Sequence, residues 1–123
     1  MNIRALIPKD KSDIETAEKL SNYSLKEIKS IIPDLLEWLQ DGNWPVSKTV
    51  ADFLISFTDD ISQEILYILK GTDEVWKYWI LIIFGKTITN EIVINEIKRI
   101  ATNPTDGEFN ERVNEIAIEI TQL

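Results

Sequence analysis

The sequence of 123 residues contains no cysteine and no histidine. The absence of cysteine excludes a disulfide framework, a thiolate zinc site and a cysteine nucleophile. The absence of histidine removes the commonest general base near neutral pH and the commonest metal ligand. We therefore predict no metal, no cofactor and no catalytic residue, and we expect that the protein is not an enzyme.

Basic residues and long apolar runs are also scarce. Lysine and arginine number 13 against 21 aspartates and glutamates, which gives a formal charge of −8 at pH 7. Because such a molecule repels a phosphate backbone and attracts cations, we expect a basic protein partner and no nucleic acid. The most apolar run, residues 78–85, is far shorter than the roughly 20 residues of a membrane-spanning helix. The first ten residues hold too few apolar side chains for a signal-peptide core, so we predict a cytoplasmic protein without membrane contact.

The apolar residues recur at the spacing of amphipathic helices, which predicts one all-α domain over residues 1–123 with about seven helical segments. The expected helix starts are N-caps at Ser12, Ser24 (in a capping box with Glu27), Thr58, Thr72 and Thr89, a break at Pro33, and Pro45 as a first helical residue. The segment Asp73–Phe84 is apolar nearly all round, so we place it at the centre of the fold. A loop over Asn103–Gly107 leads to a last helix whose apolar stripe begins at Phe109.

A weak internal repeat accompanies this helical pattern. An offset of 29 positions aligns Leu36 with Ile65, Leu39 with Ile68, Val46 with Val75, Lys48 with Lys77, Val50 with Trp79 and Leu54 with Ile83. Such self-similarity is typical of stacked helical hairpins. An aspartate followed by a valine and a basic residue, in Asp41–Lys48 and in Asp73–Lys77, resembles the HEAT repeats. The resemblance implies a HEAT-like α-α superhelix of about three antiparallel helix pairs with an N-terminal capping helix. An irregular helical bundle is the alternative.

A second resemblance is carried by four strings that span nearly the whole chain. They are IPKDK at 7–11, WLQDGNWPV at 38–46, DEVWKYWIL at 73–81 and ATNPT at 101–105. These strings resemble an uncharacterised family of small bacterial helical domains. The resemblance implies a compact, HEAT-like, cytoplasmic bacterial domain, and it supplies no catalytic residues.

Six residues are candidates for a partner surface. The 29-residue register places Lys48 and Asp52 beside Lys77 and Tyr78 on one layer of second helices. Of the four tryptophans, Trp38 and Trp79 are assigned to the core, whereas Trp44 and Trp76 are left open between core and surface. The predicted surface comprises Trp44, Lys48, Asp52, Trp76, Lys77 and Tyr78. The carboxylates at Glu108, Glu111, Glu115 and Glu119 follow one side of the last helix, which favours a solvated outer face.

Two hypotheses for function follow. The first is a non-catalytic protein-protein interaction module, and an immunity-type inhibitor of a basic toxin fits its acidity. The second is an enzyme or nucleic-acid-processing protein on a HEAT-like fold, which requires a contiguous Lys/Arg cleft around a buried carboxylate. The sequence itself leaves the function unknown.

Overall fold

The computed structural model describes residues 2–122, and within them the chain is all-α, with no strand. The α-helices are α1 Ile14–Glu18, α2 Leu25–Ile28, α3 Ile32–Glu37, α4 Pro45–Leu54, α5 Ser62–Leu69, α6 Glu74–Phe84, α7 Glu91–Thr102, α8 Asp106–Asn110 and α9 Val113–Thr121. Short 3₁₀ turns lie at Ile3–Leu6, Lys19–Asn22, Lys29–Ile31 and Ile55–Phe57. None of the helices in this described part is both long and apolar enough to cross a bilayer. The predicted all-α class is confirmed.

The contacts divide the described residues into two compact units, with the boundary between Phe57 and Thr58. In unit 1, residues 2–57, α1 packs against α4. In unit 2, residues 58–122, α7 and α6 both pack against α9 and α5. The fully buried side chains include Leu20, Ile28, Leu35, Leu39, Val50 and Leu54 in unit 1, and Ile65, Leu69, Ile80, Phe84, Ile97, Ile100 and Ala117 in unit 2. The single domain over the whole chain stays a prediction.

Several helix starts follow the sequence signals. Ser24 and Glu27 form the predicted capping box, in which each side chain accepts a hydrogen bond from the backbone N–H of the other. Pro45 is the first residue of α4, as predicted. Pro33 lies in the first turn of α3, where a missing N–H costs nothing. A 3₁₀ turn separates this helix from α2, so the two helices are distinct as predicted, but the break lies before Ile32 and not at Pro33.

The other predicted caps are wrong. Three of them, at Ser12, Thr72 and Thr89, lie one residue too early. The capping residues are instead Asp13, Asp73 and Asn90. The side chains of these residues accept hydrogen bonds from the first-turn N–H groups, a role that Asp and Asn fill as well as Ser or better.

Thr58 is likewise not a cap, because α5 begins only at Ser62. The Thr58 side chain is buried, and its Oγ1 lies 2.8 Å from Oγ1 of Thr87. The predicted cap residue therefore joins two loops of unit 2 instead of starting a helix.

The predicted last helix is two helices. Arg112 adopts a left-handed conformation, with φ of 62°, and this ends α8 before α9 begins at Val113. Phe109 belongs to α8 and is 64% exposed, so its assignment to the apolar stripe of the last helix was wrong. Helix α8 begins at Asp106, inside the predicted loop, with Thr105 as its N-cap.

Residues that the 29-residue offset aligns do not have the same burial in the structure. Val46 is buried whereas its counterpart Val75 is 48% exposed. Lys48 is exposed whereas its counterpart Lys77 is only 2% exposed. Because side chains at equivalent positions of a repeat share an environment, these pairs are not equivalent. The HEAT-like superhelix stays a prediction.

Gly85 offers a test of the packing in unit 2. A Cβ atom there would clash with Cδ1 of Ile120 in α9 and would lie 2.5 Å from the carbonyl oxygen of Leu81. Gly85→Ala should lower the free energy of unfolding by about 1–3 kcal/mol, the usual cost of overpacking. Urea unfolding measures this loss, and the neighbouring exposed change Lys86→Ala is the control. A Gly85→Ala protein as stable as the control would contradict the described contact.

Candidate functional site

The six residues of the predicted partner surface are divided between the units, three in each. In unit 1, Trp44 is half-buried, and Lys48 and Asp52 are exposed. The Lys48 ammonium lies 2.9 Å from the Asp52 carboxylate, four residues further along α4. In unit 2, Trp76 and Tyr78 are half-buried. Lys77, the third residue of unit 2, is in a different environment.

Lys77 is buried, and its assignment to a partner surface was wrong. Its side chain lies on the side of α6 that also carries Ile80 and Phe84, which are fully buried. The Lys77 Nζ lies 2.9 Å from Oε2 of Glu108 and 3.3 Å from Oε1 of Glu74. A buried ammonium needs such counter-charges because the loss of hydration is costly.

Glu108 is also fully buried, so the solvated outer face predicted for it was wrong. Its Oε1 accepts hydrogen bonds from Arg99 Nη1 at 2.6 Å and from the Thr105 backbone N–H at 2.8 Å. Its Oε2 accepts from Arg99 Nη2 and from Lys77 Nζ. Arg99 in turn bonds Glu96, with 2.8 Å between Nη2 and Oε2. We call Glu74, Lys77, Glu96, Arg99 and Glu108 the ion cluster.

The ion cluster fixes the charge of Glu108. Burial by itself raises the pKa of this carboxyl, but hydrogen bonds from Arg99, Thr105 and Lys77 outweigh it and lower the pKa to about 2. The same bonds, first to Glu108 and then to Glu96, raise the pKa of the Arg99 guanidinium. Glu108 is therefore ionised throughout the neutral range and is a poor proton acceptor.

An open cleft of about 590 Å³ lies over the ion cluster in unit 2. It is lined by Lys70, Gly71, Thr72, Glu74, Lys77, Glu96, Arg99, Thr105, Gly107 and Glu108. This is the arrangement that the enzyme hypothesis required, with basic side chains around a buried carboxylate. The three carboxylates of the lining, however, offset its three cations. Both oxygens of Glu108 are also already occupied by donors of the protein itself.

The opposite side of α6 is apolar and partly exposed. Val75 is 48% exposed and Ile82 is 46% exposed, and Tyr78 and Trp79 are half-buried between them. The rings of Tyr78 and Trp79 are in edge-to-face contact, with centroids 5.4 Å apart. The spacing of three, four and seven residues places these side chains in one stripe. We call Val75, Tyr78, Trp79 and Ile82 the outer face of α6.

A smaller groove of about 290 Å³ lies in unit 1. Its lining consists of Ile7, Pro8, Asp34, Glu37, Trp38, Gln40 and Trp44, and we call it the tryptophan groove. The rings of Trp38 and Trp44 meet edge to face, with centroids 5.7 Å apart. Trp38 and Trp79 were both predicted to be core residues, and both are instead half-buried.

The four strings of the family resemblance lie at these places. Strings 7–11 and 38–46 supply five of the residues that line the tryptophan groove. String 73–81 contains Lys77, and string 101–105 contains Thr105, and both of these residues donate hydrogen bonds to Glu108. A family model described as a domain of unknown function, DUF5071, matches residues 6–121. The chain belongs to this family. The predicted membership in an uncharacterised family of helical domains is thereby confirmed, whereas no curated protein matches the chain.

One member of the ion cluster, Glu108, carries a local sequence signal. Thr105 and Glu108 are spaced as a capping box, and in the structure each side chain accepts from the backbone N–H of the other. This box turns the Glu108 carboxylate back toward the start of α8 instead of outward. Arg99, nine residues earlier, had no comparable local signal.

Glu108→Gln tests the charge of the cluster, because glutamine keeps the capping box and removes the counter-charge of Lys77. We expect the free energy of unfolding to fall by about 3–5 kcal/mol, as when one partner of a buried ion pair is removed. Urea unfolding at neutral pH gives the value, and Glu119→Gln on the exposed side of α9 is the matched control. Equal losses in the two variants would show that Glu108 is not a buried counter-ion.

The same variant gives a pH signature. The pKa of Glu108 is lower in the folded chain, about 2, than the ordinary value of 4.5. Ionised Glu108 therefore stabilises the fold above pH 4.5, and this contribution is lost as the pH falls toward 2. The stability difference between wild type and Glu108→Gln should be constant above this window and should shrink within it. Unfolding curves measured at several pH values test this, and a difference that does not change with pH would contradict the assignment.

Proposed function

We propose that this chain is a non-catalytic protein-binding module for a basic partner and that the outer face of α6 is its contact surface. The observation that carries the proposal is the partly exposed stripe of Val75, Tyr78, Trp79 and Ile82. Exposed aromatic and large apolar side chains that form one stripe mark interaction sites more often than isolated ones do.

Val75 and Ile82 of the outer face stay exposed while α6 is packed in its own unit. The opposite side of the helix already packs through Ile80, Leu81 and Phe84, which are fully buried. A helix that is apolar on two sides exposes surface that a partner can bury. Aromatic residues with few rotatable bonds, such as Tyr78 and Trp79, lose little entropy when they are fixed in an interface.

The charge of the chain supports a basic partner. A net charge of −8 steers cationic molecules toward the protein and accelerates their encounter. An immunity-type inhibitor of a basic toxin is one form of module with this chemistry. A cytoplasmic location, a bacterial source and a HEAT-like superhelix belong to the same proposal.

The alternative is an enzyme or a nucleic-acid-processing protein that uses the cleft of unit 2. The basic lining around Glu108 favours it, but three arguments favour the binding module. The carboxylates of Glu74 and Glu96 offset the basic lining. Lys77 and Glu108 are almost fully buried, so little of either side chain is open to a substrate. The low pKa of Glu108 also disfavours proton transfer at neutral pH.

Ile82→Asp tests the outer face, with Ile92→Asp as the matched control. Both residues are exposed isoleucines of helices in unit 2, and both changes add one negative charge. We expect Ile82→Asp to reduce the capture of basic proteins from the native cells at least about tenfold, since it places a charge in an apolar contact. Ile92→Asp should capture them as wild type does.

Thermal unfolding of both variants shows whether they remain folded. The proposal fails if the two variants capture the same proteins in the same amounts, or if the proteins that depend on Ile82 are acidic. The proposal also fails if the Ile82→Asp variant still captures every protein that wild type captures.

A further inference from the structure

The tryptophan groove of unit 1 combines two indole rings with two carboxylates. Helix α3 supplies Asp34 and Glu37, Trp38 directly follows it as the C-cap, and Trp44 stands directly before α4. Asp34 and Trp38 are four residues apart, so their side chains lie one above the other along α3. The chain thus brings negative charge and aromatic faces to one small concave surface.

The backbone that carries the two rings is held by hydrogen bonds within unit 1. The buried hydroxyl of Ser47 donates to the carbonyl oxygens of Trp38 and of Asp41, the latter at 2.7 Å. The N–H of Trp44 donates to the same Asp41 carbonyl at 3.1 Å. Pro45 fixes the backbone immediately after Trp44. A binding surface that is ordered in advance loses less entropy when a ligand binds.

The chemistry of this lining selects a cation. An ammonium or guanidinium group is attracted to the face of an indole ring and, independently, to a carboxylate. A guanidinium also stacks flat on tryptophan and forms paired hydrogen bonds with carboxylates. The volume of about 290 Å³ suits one long side chain and is at the lower limit for a drug-sized ligand.

The chain already shows a weak contact of this kind. The guanidinium Nη2 of Arg4 lies 3.5 Å from Oδ1 of Asp34, and the Arg4 side chain is 62% exposed. This contact is long and solvated, so it contributes little stability. It shows that a guanidinium reaches the Asp34 carboxylate.

We propose that the tryptophan groove binds the cationic side chain of an arginine or lysine from a basic protein partner. The cation lies against Trp38 and Trp44 and is neutralised by Asp34 and Glu37. That the cation belongs to a protein rests on the proposed function, whereas the groove itself is tested without a partner.

The probe is N-acetyl-L-arginine amide, with N-acetyl-L-lysine amide as a second cation and the neutral isostere N-acetyl-L-citrulline amide as the control. The readout is NMR of the four tryptophan indole N–H signals, assigned by Trp→Phe variants. We expect both cations to shift the Trp38 and Trp44 signals in a saturable way, and the stronger of them identifies the preferred residue. The citrulline amide should leave these signals unchanged. Shifts that are the same for citrulline, or equal shifts at Trp76 and Trp79, would overturn the proposal.

Charge-matched variants separate the groove from the general acidity of the chain. The double change Asp34→Asn and Glu37→Gln should weaken binding of the arginine probe about tenfold. The double change Glu111→Gln and Glu119→Gln removes as much charge from exposed positions of unit 2 and should alter binding less than about twofold. Equal effects of the two doubles would overturn the proposal.

The two proposals fail separately. Ile82→Asp, which tests the outer face of α6, should bind the arginine probe as wild type does. If the probe does not bind the groove while proteins still depend on Ile82, only the cation site is wrong. If the probe binds and no protein depends on Ile82, only the outer face is wrong.

Discussion

The arrangement of unit 2 depends on one buried carboxylate. Glu108 has no contact with solvent, and its two oxygens receive donors from Lys77 of α6, Arg99 of α7 and the backbone at Thr105. A charge in this position is tolerated only where its counter-charges are fixed, because removal from water costs several kcal/mol per ion, about as much as a whole core side chain contributes. Such a cluster adds less net stability than an apolar core of equal volume. Its effect is on geometry: the bonds of Glu108 to Lys77 and Arg99 tie the short helix α8 to α6 and α7.

The same constraint determines what α6 presents to solvent. With Lys77 turned inward toward Glu108, the helical period turns Val75, Tyr78 and Ile82 outward. The inward position of Lys77 and the outward position of the apolar stripe therefore both follow from the rotation of α6 about its own axis. In unit 1 a different device orders a surface: the Ser47 hydroxyl and Pro45 hold the loop between the two rings of the tryptophan groove. Each unit thus has its own ordered surface, one apolar and one suited to cations.

The sequence predicts those features that depend on local rules. The helical class, the capping box at Ser24 and the start of α4 at Pro45 follow from apolar spacing and backbone chemistry. The buried lysine could not be predicted, because its partner is 31 residues away and polar residues are assigned to the surface by default. The break between α8 and α9 could not be predicted either, because the left-handed residue there is Arg112 and not a glycine. Of the six predicted surface residues, Lys77 was misplaced because the repeat register equated it with Lys48.

The central claim is that Lys77 and Glu108 stabilise each other as a buried pair, and a double-mutant cycle tests it most directly. The free energy of unfolding is measured for wild type, Lys77→Met, Glu108→Gln and the double variant. Because the double variant leaves no unpaired buried ammonium, it should lose less stability than the sum of the single losses, with a coupling of about 1–3 kcal/mol. It should also be more stable than Glu108→Gln alone. Strictly additive losses would mean that the two charges do not interact in the folded chain, and this would contradict the account.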